Sequence, residues 1–253
     1  METVEAPYDW VTRDFHLKQK RSLEEMTGDT RKATSAAAYS WIVKARITEM
    51  FAGTPNLVLN VGCGWGRELV RFRNAVGIDL CLPYLKTARN YTPHDYVLAD
   101  AEYLPFRIGV FSFICCAEVV EHLTDAKSAI DEMTRTLQLH GRLVIQTANR
   151  KWTRSRAISK EYLHVKELNK AELLDLVTNS GLRVERITGS TIPYIPTKSQ
   201  FYWLNWHPFF FTFWKVLNRL LPFKWDLVVC ARKTALFSLR RFFLSVLSRR
   251  VTD

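Results

Sequence analysis

Residues 58–66 read Val-Leu-Asn-Val-Gly-Cys-Gly-Trp-Gly, an apolar run that passes directly into three glycines at alternate positions. Short apolar runs bounded by glycine read as buried strands. Glycines just beyond such a strand permit positive φ and strip the bend of Cβ atoms, so a ligand can approach the backbone closely. A helix after the bend would add free N–H groups and the positive end of a dipole. A tight turn with no ligand uses the same residues, so the bend needs further features beside it before it marks a site.

The rest of the chain alternates in the same way. The pattern predicts strands over 56–61, 75–80, 96–99, 110–117, 141–147, 182–187 and 226–231. Between them it predicts helices over 68–72, 82–90, 125–139 and 170–180. Strands separated by helices of this length imply βαβ units and a doubly wound α/β domain with a mostly parallel sheet. Right-handed crossovers then place a ligand crevice at the carboxyl ends of the strands. Residues 1–52 read as an N-terminal helical segment, helical from Arg31 to Phe51 and stopped by Gly53, Thr54 and Pro55. Residues 53–233 read as the binding domain, with an aromatic helical insert over 191–224, and 234–253 as a basic amphipathic tail.

Composition narrows the function classes. With 253 residues and 47% hydrophobic content, one substantial core is expected. The formal charge is +11, from 36 Lys and Arg against 25 Asp and Glu. That balance suits nucleic acid, anionic lipid, an acidic substrate or a plain solvated surface. The five cysteines form no Cys-x-x-Cys pair, which excludes zinc-ribbon and thioredoxin spacing. Their apolar neighbourhoods fit reduced thiols in a cytoplasmic protein. The first residues, METVEAPYDWVTRDF, hold no apolar stretch and do not read as a signal peptide.

Two further acids accompany the bend. Gly77-Ile78-Asp79-Leu80 sets a carboxylate at the end of the second strand, where it can accept from ribose hydroxyls or cap a helix. Leu98-Ala99-Asp100-Ala101-Glu102 sets another just past the third, suited to an adenine amino group or to a turn. Together with Glu118-Val119-Val120-Glu121-His122-Leu123 and Leu139-His140-Gly141-Arg142-Leu143-Val144-Ile145, these motifs resemble the class I methyltransferases that use S-adenosylmethionine (SAM), and more narrowly the group with the quinone-biosynthesis enzymes. The resemblance runs from about Asn56 to Gly189. It implies a Rossmann-like sheet of seven strands with an antiparallel last strand, and SAM as cofactor. It also implies that Gly62, Gly64 and Gly66 pass the amino-acid moiety, Asp79 holds the ribose, and Asp100 with Ala101 frames the adenine. Asn60, Cys63, Leu80 and Glu118 stand beside them as further cofactor-binding residues. The chain departs from the family in having Asn60 where an acid is usual, Ser112 for an Asp and His140 for a Gly. A nicotinamide-binding fingerprint would need glycine where Arg67 stands.

Candidate chemistry gathers after the fourth and fifth strands. Glu118, Glu121 and His122 stand at one predicted carboxyl end, and His164 follows in Glu161-Tyr162-Leu163-His164-Val165. The set resembles the two-Glu, two-His ligands of metal-dependent O-methyltransferases, which implies a divalent ion on Glu118, Glu121, His122 and His164. Without an ion, His164 reads as a base, with Glu118 and His122 beside it. No Asn-Pro-Pro-Tyr or Pro-Cys follows the fourth strand, leaving oxygen or carbon acceptors.

Residues 209–221, FFFTFWKVLNRLL, place apolar side chains on one helical face and Lys215, Asn218 and Arg219 on the other. Such a helix suits a membrane surface, an apolar lid or a core position alike. The reading favours a small apolar acceptor such as a lipid or quinone precursor, with peripheral membrane contact. Alternatives are a metal-assisted RNA ribose 2′-O-methyltransferase and a non-catalytic protein on the same fold.

Overall fold

Apolar runs too short for helices and rich in Val, Ile, Leu and Cys form the centre of the domain. The computed structural model describes residues 52–151, 164–189 and 226–235, apart from Arg67, Val70, Arg71 and Tyr91. The segment 1–51, the insert 191–224 and nearly all of the tail lie outside the described residues. Seven strands form one sheet: β1 (Val58–Val61), β2 (Ala75–Asp79), β3 (Asp95–Leu98), β4 (Phe111–Ala117), β5 (Leu137–Ala148), β6 (Leu182–Thr188) and β7 (Asp226–Lys233). Their order is β3-β2-β1-β4-β5-β7-β6. The pairs from β3 through to β5 are parallel, while β7 runs antiparallel to both β5 and β6. The α/β sheet with a reversed last strand is therefore as expected. The strand order reverses between β1 and β4, which makes their carboxyl ends the crevice of a doubly wound sheet.

Three described α-helices flank the sheet: α1 (Leu82–Ala88), α2 (Ala126–Thr136) and α3 (Lys170–Asn179). Asp125 caps α2 by accepting from the Lys127 and Ser128 N–H groups at 3.0 and 3.1 Å. Asn169 and Glu172 close a capping box on α3. One face of the sheet, with Leu59, Val61, Ile114, Leu143 and Ile145, packs on Ile130 and Met133 of α2 and Leu173 and Val177 of α3. The other face carries Val58, Phe113, Cys115, Val144 and Val228, against Leu69, Leu85 and Ala88.

Beyond shifts of a residue or two at strand and helix ends, two departures from expectation stand out. The helix expected over 125–139 stops at Thr136, and β5 begins at Leu137 instead of 141. Leu137 pairs with Phe111, the next pair is Phe113 with Arg142, and the extra residues of β5 bulge out between them. His140 sits in that bulge at φ 65°, a conformation that favours glycine. The helix expected over 68–72 is, in its described residues, a tight turn in which Leu69 N–H donates to Gly66 O and Phe72 N–H to Leu69 O.

All five cysteines are buried and unbridged. Burial pushes each thiol above its ordinary range, and that of Cys230 up to about 11. The native protein is therefore expected to resist Ellman's reagent at pH 8 and to release all five thiols in guanidinium; rapid native labelling would contradict the packing. His140→Gly removes the left-handed strain and is expected to stabilise by about 0.5–1 kcal/mol, read from the urea midpoint.

Candidate active site at the carboxyl edge

The glycine bend leaves β1 where β2 ends. Cys63 N–H donates to Ile78 O at 2.8 Å, which carries the ladder one step past the strand. Gly62, Gly64 and Gly66 all have positive φ. A Cβ on Gly62 would overlap Val119 Cγ2, so the bend passes tightly against the segment after β4. The Asp79 carboxylate is locked in place by two backbone donors, Gly64 N–H to one oxygen and Cys81 N–H to the other, both at 2.8 Å. The N-cap of α1 is Cys81, so Asp79 does not cap it. Trp65 packs edge-on against Tyr84 of α1, with ring centroids 5.8 Å apart. Burial pushes the Tyr84 phenol up to about 12, with the Cys81 and Asp79 charges adding to it.

Ala99 N–H donates to Asp79 O, which sets the end of β3 beside the end of β2. There Asp100 accepts from Glu102 N–H at 2.9 Å, and Ala101 is buried. Leu80 is 42% exposed at the same rim. Cys63 has neither backbone group open: its N–H is on Ile78 and its carbonyl accepts from Gly66 N–H. Its thiol is buried against β2, where a Cβ on Gly77 would strike it.

A second cluster stands beyond β4. Glu118 has φ 56°, and its N–H donates to Gln146 O at 2.8 Å. A non-glycine residue held there is local strain, which accumulates at functional sites. A 3₁₀ turn follows over Val120–His122. Glu121 is fully buried, and Thr147 Oγ1 of β5 donates to its Oε2 at 2.8 Å. The returning chain is pinned to the same turn, since Val165 and Lys166 N–H groups donate to Glu121 O at 2.8 and 3.1 Å. That pinning brings His164 against His122, with ring centroids 4.9 Å apart. Donor atoms of Glu121, His122 and His164 lie within 4.8 Å of one another. Glu118 does not join that group.

His164 Nδ1 meets Glu167 Oε1 at 2.8 Å, and both side chains are more than nine-tenths buried. A carboxylate only accepts, so Nδ1 carries the proton and Nε2 keeps its lone pair when the ring is neutral. A carboxylate behind a histidine in this way fixes the tautomer and the orientation of the ring. Further along the edge, Gln146 Nε2 donates to Asp226 Oδ2 at 2.9 Å. Asp226 opens β7, whose reversal brings its first residue to the carboxyl edge.

Reading of the sequence alone did not single out Thr147, Glu167, Gln146, Asp226 or Glu68. Glu167 had a signal, the three-residue spacing from His164. Asp226 had another, an acid opening an apolar run.

Residues 59–145 match the methyltransferase domain family. A ubiquinone biosynthesis O-methyltransferase of Thiobacillus denitrificans is 31% identical over 156 residues, spanning 53% of this chain and 67% of that protein. An uncharacterised protein of Methanocaldococcus jannaschii is 30% identical, and the match spans only 55% of its length. Among solved structures, a SAM-dependent methyltransferase from Thermotoga maritima superposes with a TM-score of 0.63 at 16% identity, over 84% of this chain and 98% of that one. Geranyl diphosphate C-methyltransferase from Streptomyces coelicolor superposes at 0.57 with 15% identity, over 76% and 80%. These structural likenesses carry the fold.

Gly62→Ala is expected to destabilise by about 2 kcal/mol or more, from overlap and positive φ together. Adding Val119→Ala should recover the overlap portion only. Urea denaturation of both variants checks this, and an unshifted midpoint for Gly62→Ala would contradict the geometry.

Proposed function

The chain belongs to the class I SAM-dependent methyltransferases, and we propose that it transfers the methyl group of SAM to an oxygen or carbon of a small, apolar acceptor. The observation that carries the cofactor half is the glycine bend tied to Asp79 at the reversal of strand order. A bend without side chains suits the methionine end of SAM, and the Asp79 carboxylate, oriented by the Gly64 and Cys81 N–H groups, suits ribose hydroxyls. Asp100 and Ala101, with Leu80 exposed nearby, suit the adenine.

SAM brings a methyl group already activated on a sulfonium, so the protein's tasks are alignment and exclusion of water. His164, with Nδ1 held by Glu167, offers Nε2 to take the proton of an acceptor hydroxyl. Glu167 stabilises the imidazolium that results. His122 stands against His164, with ring centroids 4.9 Å apart, and Glu118 follows β4 just before the 3₁₀ turn. In a reading where the Nε2 lone pair meets a divalent ion in place of a proton, Glu121, His122 and His164 present one carboxylate and two imidazoles, and the ion when bound would lower the pKa of a hydroxyl.

The oxygen acceptor draws support from this cluster and from the quinone O-methyltransferase relative. The apolar character of the acceptor, and contact with a membrane surface, rest on the aromatic residues of 191–224. No described helix is long and apolar enough to cross a membrane. A ribose 2′-hydroxyl is the second reading, favoured by the same histidines.

Isothermal titration with SAM and with S-adenosylhomocysteine is expected to show binding that Asp79→Ala weakens about tenfold or more. Tritiated methyl transfer to a polyprenyl catechol is expected to fall about 10²–10⁴-fold in His164→Ala. Failure of the wild type to bind either nucleoside would refute the cofactor half. A rate indifferent to a strong chelator would remove the ion from the reading.

A further inference from the structure

Near the end of β5, successive residues serve opposite faces of the sheet. Thr147 turns to one face and holds Glu121. Gln146 turns to the other. It is the cross-strand partner of Val228 and stands beside Ala117, on the face that carries Val144. Its carbonyl accepts from Glu118 N–H at 2.8 Å, so its main chain belongs to the junction that strains Glu118. Val61 pairs with Cys116, and Ala117 pairs with Gln146. Gly62, next after Val61, is therefore level with Gln146 and two strand spacings away, about 10 Å.

The Gln146 amide has one allowed orientation. Nε2 donates to Asp226 Oδ2 at 2.9 Å, and turning the amide over would press Oε1 against that carboxylate. Held as it is, Oε1 is buried and accepts no hydrogen bond. Gln146 is 1% exposed, whereas Ala117 beside it is only half-buried. An unmet buried acceptor costs stability, and a ligand that brings a donor recovers that cost. The unmet oxygen thus lies level with the start of the glycine bend and one residue from the strand position that anchors the Glu121 cluster. The oxygen is uncharged, and its neighbours across the sheet, Ala117 and Val228, are apolar. A neutral O–H loses less hydration in reaching such a place than an ammonium does. The hydroxyl that takes the methyl gives its proton to His164, so the one that meets Gln146 is another.

We propose that Gln146 is a specificity-determining residue, whose Oε1 accepts from a second hydroxyl of the acceptor, one that the reaction leaves unmethylated. Asp226 is then a positioning residue, acting through the amide that it orients. The proposal rests on the acceptor reading above and deepens it, since it requires an acceptor with two hydroxyls.

The test uses three probes. Polyprenyl catechol and polyprenyl resorcinol carry a second hydroxyl, and polyprenyl phenol lacks it. With tritiated SAM, the wild-type kcat/KM for the better diol should exceed that for the phenol about tenfold or more. Gln146→Met keeps the length of the side chain and removes the amide. In it the ratio should fall to within about threefold of one, mainly by loss on the diol. A merely structural role would lower diol and phenol together, so an unchanged ratio in Gln146→Met overturns the proposal. So does a wild type that uses phenol and diols alike. Should Gln146→Met fail to fold, titration of the wild-type complex with S-adenosylhomocysteine decides, in a strong chelator that removes any ion's grip on paired hydroxyls. A diol bound about tenfold tighter than the phenol supports the proposal, and equal affinities overturn it. A wild type that neither binds nor methylates any of the three overturns the acceptor reading and this proposal with it, an outcome distinct from an unchanged ratio.

Discussion

The Asp79 carboxylate, gripped by two backbone N–H groups, organises the crevice. One donor belongs to the glycine bend after β1, the other to the start of α1. A single side chain thus joins two βα connections on adjacent strands. A carboxylate that accepts two backbone N–H bonds is held in one orientation. The bend cannot drift from the end of β2 without breaking that grip, and Val119 limits it from the other side. This end of the crevice is therefore held in place for reasons that need no ligand.

The cluster beyond β4 is built differently, from long-range ties. Glu121 receives Thr147 on its side chain and the returning chain on its carbonyl. His164 reaches His122 only because Val165 and Lys166 are bound to that carbonyl. The first tie joins the turn to the central sheet, whose β4 and β5 are buried on both faces, and the others join the returning chain to that turn. The strain at Glu118 is tolerated at this junction because the packed strand before it and the 3₁₀ turn after it leave no other path.

Much of the fold was legible because its strands are apolar runs cut off by glycine or proline, and such runs admit few alternatives. The family resemblance added the reversed β7. The boundary between α2 and β5 was not legible: Leu137 and Leu139 continue a helical apolar pattern, and only pairing with Phe111 across the sheet turns Leu137 into strand. In the site, residues clustered in sequence stood out, such as the glycines and Glu118 to His122. Pairs made by tertiary packing did not. Gln146 and Asp226 are 80 positions apart, and no local pattern joins them. Asn60 and Glu68 are near in sequence, yet nothing in their spacing announces that the amide of one donates to the carboxylate of the other.

The reversal of β7 has a consequence for how such a crevice can diversify. β6 runs parallel to β5 and finishes at the carboxyl edge, and β7 starts from that same edge. The chain therefore leaves β6 and enters β7 at one edge of the sheet. Residues can be added to the connection between them or removed from it without disturbing the opposite rim or the strand pairing beneath. Its attachment points thus sit at the same edge as Gln146 and Asp226, and the pairing of β5, β6 and β7 does not depend on its length.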